Sequence, residues 1–122
     1  MLIEEYFALL ESLIDSCGDI RTKTIHKDKR SQHTGYFRAE LFFPDGSSLH
    51  IREFVTTQLR IDRYAYVYHY QDADNRLIFR YDNTRHFPNL PNFPHHKHAP
   101  DGVASAPESD LQGVVDEILK GM

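Results

Sequence analysis

The chain has 122 residues, 14 Lys+Arg against 18 Asp+Glu, a formal net charge of −4 and a mean hydropathy of −0.55. That suits one soluble globular domain over residues 1–122 with a real core, and no apolar run reaches the roughly 20 residues of a membrane span. Acidic Glu4 and Glu5 without a basic region argue against a signal peptide, and the single Cys17 rules out an internal disulfide, so a reducing cytoplasm is the expected location.

Residues 2–17 read as an amphipathic helix. Ile3, Tyr6, Phe7, Leu10, Leu13, Ile14 and Cys17 recur at three- and four-residue steps, with Glu4, Glu5, Glu11 and Asp15 between them and Gly18 as a stop. Residues 20–28 are a first strand. The period is then two: Phe37, Ala39, Leu41 and Phe43 alternate with Tyr36, Arg38, Glu40 and Phe42 before the turn Pro44-Asp45-Gly46. Leu49, Ile51, Glu53 and Val55 alternate with His50, Arg52 and Phe54, and Tyr64, Tyr66, Tyr68 and Tyr70 with Ala65, Val67 and His69. Asp72–Asn75 is a second turn, and 76–82 a further strand. Residues 107–120 form a closing helix, with a capping box from Ser105 and Glu108, Pro107 in the first turn, and Leu111, Val114, Val115, Ile118 and Leu119 as its stripe before Gly121. The fold class is α+β: a meander of about five antiparallel strands, both terminal helices on one face and the other face free for a ligand.

Charge is unevenly spread. Residues 1–20 hold five acids and no Lys or Arg, residues 101–122 hold five acids and one Lys, and the middle holds thirteen Lys/Arg against eight acids. A basic centre between acidic ends can bind a polyanion, or it can be an imbalance on solvated faces. Arg38 and Glu40, His50 and Arg52, and Arg80 and Asp82 share parity within their strands, so register can gather them into one charged floor, with cross-strand ion pairing as the plainer outcome. Glu53 and His69 fall on otherwise apolar faces, where each needs a partner. They are expected to pair, as a structural contact or as a perturbed acid/base pair. The tyrosines are expected to pack across strands, with base stacking as the functional alternative.

The densest chemistry is Arg80-Tyr81-Asp82-Asn83-Thr84-Arg85-His86 followed by Phe93-Pro94-His95-His96-Lys97-His98, which holds four of the eight histidines around a proline-rich stretch with no helix or strand pattern. His96 and His98 point the same way if that piece is extended. The histidines are candidate metal ligands with His86 or Asp82 completing the set, but no HExxH or CxxC accompanies them, and Lys97, Arg80 and Arg85 favour a phosphate over a cation. The mixture suits metal-free RNA cleavage: a His or Glu takes the 2′-hydroxyl proton, Arg or Lys steadies the phosphorus, and a protonated His serves the leaving 5′-oxygen.

The segments GYFRAELFFPDGSSLHIREFV, YAYVYHYQDADNRLIFRYDNTRHFPNLPNFPHHKH and DGV, over about residues 35–103, resemble the TumE family of bacterial and archaeal toxins from type II toxin–antitoxin pairs. The resemblance implies a partner antitoxin with a helix-turn-helix domain, and interference with RNA or translation. Its motif positions correspond to Arg52, Glu53, His69, Arg80, Asp82, His86, His95, His96 and His98. Arg85-His86-Phe87 departs from it, because a His-His pair is expected after Asp82-Asn83. The leading expectation is a metal-independent endoribonuclease without a cofactor. His95, His96, His98, His86, Asp82, Glu53 and His69 are its candidate catalytic residues, and Arg80, Lys97, Arg52 and Arg38 its phosphate-binding residues. RNA, the antitoxin and a second copy of the chain are the expected partners. The alternatives are a non-catalytic nucleic-acid or protein binding module, and a metal-dependent nuclease or hydrolase built on the His loop.

Overall fold

In the computed structural model, which describes residues 1–122, helix α1 runs Ile3–Asp15. Ile3, Tyr6, Phe7, Leu10 and Ile14 are buried, and Glu4 and Glu5 occupy the first turn, where carboxylates favour the helix dipole. Glu5 Oε1 accepts the Leu2 N–H at 2.8 Å. The helix is capped at Ser16, short of the expected Gly18 stop.

Seven strands follow: β1 Thr22–Lys29, β2 Thr34–Phe42, β3 Ser48–Thr56, β4 Asp62–Gln71, β5 Leu77–Asp82, β6 His96–Ala99 and β7 Gly102–Ser105. They form one antiparallel sheet in sequence order. Both expected turns form: Gly46 closes β2–β3 at φ 86°, and Asn75 closes β4–β5 at φ 62° with Asp72 accepting the Asp74 and Arg76 N–H groups. Helix α2, Leu111–Lys120, closes the chain.

Two expectations need correction. The strands number seven, not about five, because the His-bearing piece supplies β6 and its hairpin partner β7. His-Lys-His-Ala has no apolar alternation to announce a strand, and its order comes from pairing with β5. Helix α2 begins at Leu111 rather than 107. Asp110 is its N-cap, accepting the Gly113 N–H at 2.9 Å, while Ser105 of the expected capping box lies in β7.

Both helices cover one sheet face. Alternate residues of that face, among them Phe37, Leu41, Leu49, Ile51, Val55, Tyr66, Tyr68, Tyr70 and Phe79, join the stripes of α1 and α2 and the buried Cys17 in a 21-residue core. Gly35 lets α1 sit close on β2: a Cβ there would lie 2.7 Å from Phe7 Cζ and 2.8 Å from Ile3 Cγ1. The tyrosine stripe splits. Tyr66, Tyr68 and Tyr70 are core, and Tyr64, at the break in β3–β4 register, is exposed.

The helix side also consumes much of the basic middle. Lys23, Lys27 and Lys29 of β1 reach Asp15, Glu11 and Glu4 of α1; Arg63 reaches Glu108; Lys97 reaches Glu117. All three β1 lysines and Lys97 are therefore answered by acids of the two helices, while Arg38 and Arg52 on the opposite face pair with none.

Candidate active site

Register alone assembles the helix-free face. Glu40, His50, His69, Arg80 and His98 stand opposite one another on β2 through β6. Two residues along each strand, a parallel row runs Arg38, Arg52, Val67, Asp82 and His96. The charged floor expected from strand parity is present.

Between the rows lies a cleft of about 250 Å³ lined by His50, Arg52, Val67, His69, Gln71 and Arg80. The His50 and His69 rings are 6.0 Å apart. His50 Nε2 pairs with Ser48 Oγ at 3.2 Å, and its Nδ1 is 3.8 Å from Glu40 Oε2. His69 Nε2 pairs with Gln71 Oε1 at 3.0 Å, while its Nδ1 is buried without a partner. Burial first, then the charges of Arg80 and His50, hold His69 below the ordinary imidazole pKa, with the Gln71 bond opposing. Arg38 and Arg52 face each other directly across β2–β3 and belong to none of the ion pairs of the chain. Two adjacent unpaired guanidinium groups repel each other, so an anion bound between them is favoured.

Asp82 sits at the edge of this face under the 83–95 loop and is 1 % exposed. Its Oδ1 accepts the Thr84 N–H at 3.1 Å and the Thr84 hydroxyl at 2.9 Å, and its Oδ2 accepts Arg80 Nε at 3.0 Å. Burial pushes its carboxyl up, but the Thr84 and Arg80 bonds and the charge of His96 more than offset this, leaving it below the usual range. His96 Nε2 lies 2.7 Å from Asp82 Oδ1 and His98 Nε2 3.5 Å from Asp82 Oδ2. His96 is 1 % exposed, and its Nδ1 pairs with Pro94 O at 2.9 Å. Phe87 packs edge-on against both rings, 5.0 Å from His96 and 5.8 Å from His98. Burial holds His98 below its ordinary pKa, with Asp82 opposing and His96, Arg80 and His86 adding to the effect. Asn83 anchors the loop to β4, donating to Tyr64 O at 3.1 Å and accepting the Tyr66 N–H at 2.9 Å. The potential ligand atoms of Asp82, His96 and His98 lie within 4.8 Å of one another, close enough for one metal ion to reach all three.

The remaining sequence candidates disperse. His95 and Lys97 alternate with His96 and His98 and so face the helices. His95 stacks on Tyr66 and bonds its hydroxyl at 2.9 Å; Lys97 pairs with Glu117 at 3.1 Å and lies over the Tyr81 ring. Lys97 thus departs from the expected phosphate set. Glu53 and His69 do not pair, because they project from opposite faces of the sheet. Glu53 is caged by the hydroxyls of Tyr6 and of Tyr68, the latter at 2.7 Å, beside Arg63. His86 is exposed on the loop, its ring 6.4 Å from Phe87. Sequence reasoning placed His50 on the polar face but passed over it as a site residue. The missing signal was register: only pairing of His50 with His69 makes it half of a two-imidazole cleft.

The family model described as Toxin TumE matches residues 10–122, so the chain belongs to the TumE toxin family. No curated protein and no solved structure matches the chain.

Proposed function

We propose that this member of the TumE toxin family is an endoribonuclease that cuts single-stranded RNA in the His50–His69–Arg52–Arg80 cleft, with no metal ion in the bond-breaking step. The observation that carries the reading is the convergence of two imidazoles and two guanidinium groups on the helix-free face. Arg52 and Arg80 hold the non-bridging oxygens of the scissile phosphate. The substrate 2′-hydroxyl takes the place of Gln71 on His69; with the Gln71 oxygen gone, the ring shifts its hydrogen from Nε2 to Nδ1, the freed Nε2 lone pair removes the hydroxyl proton, and the oxygen attacks phosphorus. His50 returns a proton to the departing 5′-oxygen. The tilted Phe54–Tyr64 pair, 5.9 Å between centroids, lies one strand alternation beyond Arg52 and offers unpaired bases a stacking surface. An antitoxin carrying a helix-turn-helix domain would silence the chain by covering this face.

The test is cleavage of unstructured RNA by purified chain in EDTA. Wild type cuts, His50→Ala loses about 10²–10⁴-fold in rate, and Arg52→Ala weakens binding and flattens its salt dependence. Tight, salt-sensitive binding without turnover would replace the enzyme with a nucleic-acid binding module. Cleavage lost in EDTA and restored by metal would remove the metal-free step.

A further inference from the structure

The proposed cleft leaves Asp82, His96 and His98 unused, and their geometry poses its own problem. Pro94 O can only accept, so His96 Nδ1 donates to it and Nε2 is the ring nitrogen turned toward Asp82. Nε2 lies 2.7 Å from Asp82 Oδ1 and forms no aligned hydrogen bond although it is fully buried. A buried ring nitrogen and a carboxylate oxygen held this close without an aligned hydrogen bond are satisfied by a cation shared between them. A proton on Nε2 would not lie along the contact, and a third donor, His98 Nε2, faces the same place: the ligand atoms of all three residues fall within 4.8 Å of one another.

We propose that Asp82, His96 and His98 bind a divalent metal ion through Asp82 Oδ1 and the two Nε2 atoms, and that Zn²⁺ is the ion that fits. Tetrahedral Zn²⁺ at about 2.0–2.1 Å from its ligands sets ligand–ligand separations near 3.3 Å; the His96 Nε2–Asp82 Oδ1 contact is 2.7 Å, and the ligand atoms of all three residues lie within 4.8 Å of one another, so small side-chain shifts reach that value. The surroundings are those of a metal site. A backbone carbonyl fixes the His96 tautomer, Thr84 orients the carboxylate, and Phe87 covers both imidazoles. Three protein ligands leave a fourth position to water, reached past His98, whose side chain is 28 % exposed. Lys97, Arg80 and Arg85, the cations expected to repel a metal ion, do not crowd the site. Lys97 faces the helices, Arg85 lies against the Phe93 ring at 5.1 Å, and Arg80 holds the other carboxylate oxygen as an outer-shell donor. The ion would pin β6 and the 83–95 loop to β5.

This site stands independently of RNA cleavage, so its test is binding. The full chain is freed of metal by chelation and titrated with ZnCl₂ by calorimetry, with a thermal melt alongside. One equivalent binds with a dissociation constant of about 1 µM or tighter, the melting temperature rises, and His98→Ala and His96→Gln each weaken binding by about 100-fold or more. His95→Ala, on the other face, binds as wild type. His98→Ala, at a part-exposed position, keeps the test decisive if His96→Gln fails to fold. No binding up to about 1 mM, or binding that His98→Ala leaves unchanged, overturns the site.

Discussion

Glu53 and Asp82 are both carboxylates at 1 % exposure on strands of one sheet, yet the two are held in opposite ways. Glu53 lies under the helices, and burial drives its carboxyl up against the opposing Tyr6 and Tyr68 bonds and the charge of Arg63. Asp82 lies under a loop on the helix-free face, where Thr84, Arg80 and His96 overcome burial and keep it ionised. Near-total burial is common to both, so the partners decide. Neutral hydroxyls make Glu53 a strut between α1 and the sheet; backbone N–H, guanidinium and imidazole groups make Asp82 a charged hub. The family resemblance marks both positions, and the structure places one under the helices and the other among the candidate site residues.

The largest effect that would break this contrast is at Glu53. Glu53→Leu leaves the Tyr6 and Tyr68 hydroxyls without their buried acceptor and removes a carboxylate beside Arg63, and costs about 3–5 kcal/mol of stability in denaturant melts. RNA cleavage per folded molecule is unchanged, and a specific loss of cleavage would make Glu53 a site residue after all. Next is the docking of α1: Gly35→Ala forces Phe7 and Ile3 away from β2 and costs about 1–3 kcal/mol, again without altering the open face.

Two pH experiments sharpen the contrast. Because the folded-state pKa of Glu53 is raised, its contribution to stability is complete below the ordinary 4.5 and declines as pH rises through the folded value. Glu53→Gln removes that decline, so its stability relative to wild type improves from pH 4.5 upward; a parallel offset at all pH values would contradict the cage. His69 works in the other sense. Its pKa is lowered from 6.5, so the base form persists below that pH, and the acidic limb of kcat/KM falls below 6.5. A limb at or above 6.5 would remove His69 as the base. The smallest effect belongs to the helix-side surface pairs: Glu11→Ala frees Lys27 and costs about 0.2–1 kcal/mol.

Much of this was legible in the sequence. The periodicity of Ile3 to Ile14 and the two turns placed α1 and the β2–β5 strands, and strand parity put Arg38, Arg52, Arg80 and Asp82 on one face. Parity also pointed His96 and His98 the same way, as found. What stayed hidden depends on how strands pair. Nothing local says that His50 meets His69, or that Glu53 meets Tyr6 from a helix 47 residues earlier. The His piece was read as one loop-borne cluster, and its extended backbone instead sends His95 and Lys97 to one face and His96 and His98 to the other. Charge totals misled for a related reason: the β1 lysines counted as basic surface are answered by α1, a contact invisible until helix and strand are packed.

The account rests most heavily on the helix-free face as a cutting surface, and one rate tests it directly. Purified wild type and His69→Ala, compared at equal folded fraction, are incubated with unstructured RNA in EDTA. The account predicts cleavage by wild type and a loss of about 10²–10⁴-fold in the variant; intact RNA with wild type, or equal rates for the two proteins, would contradict it.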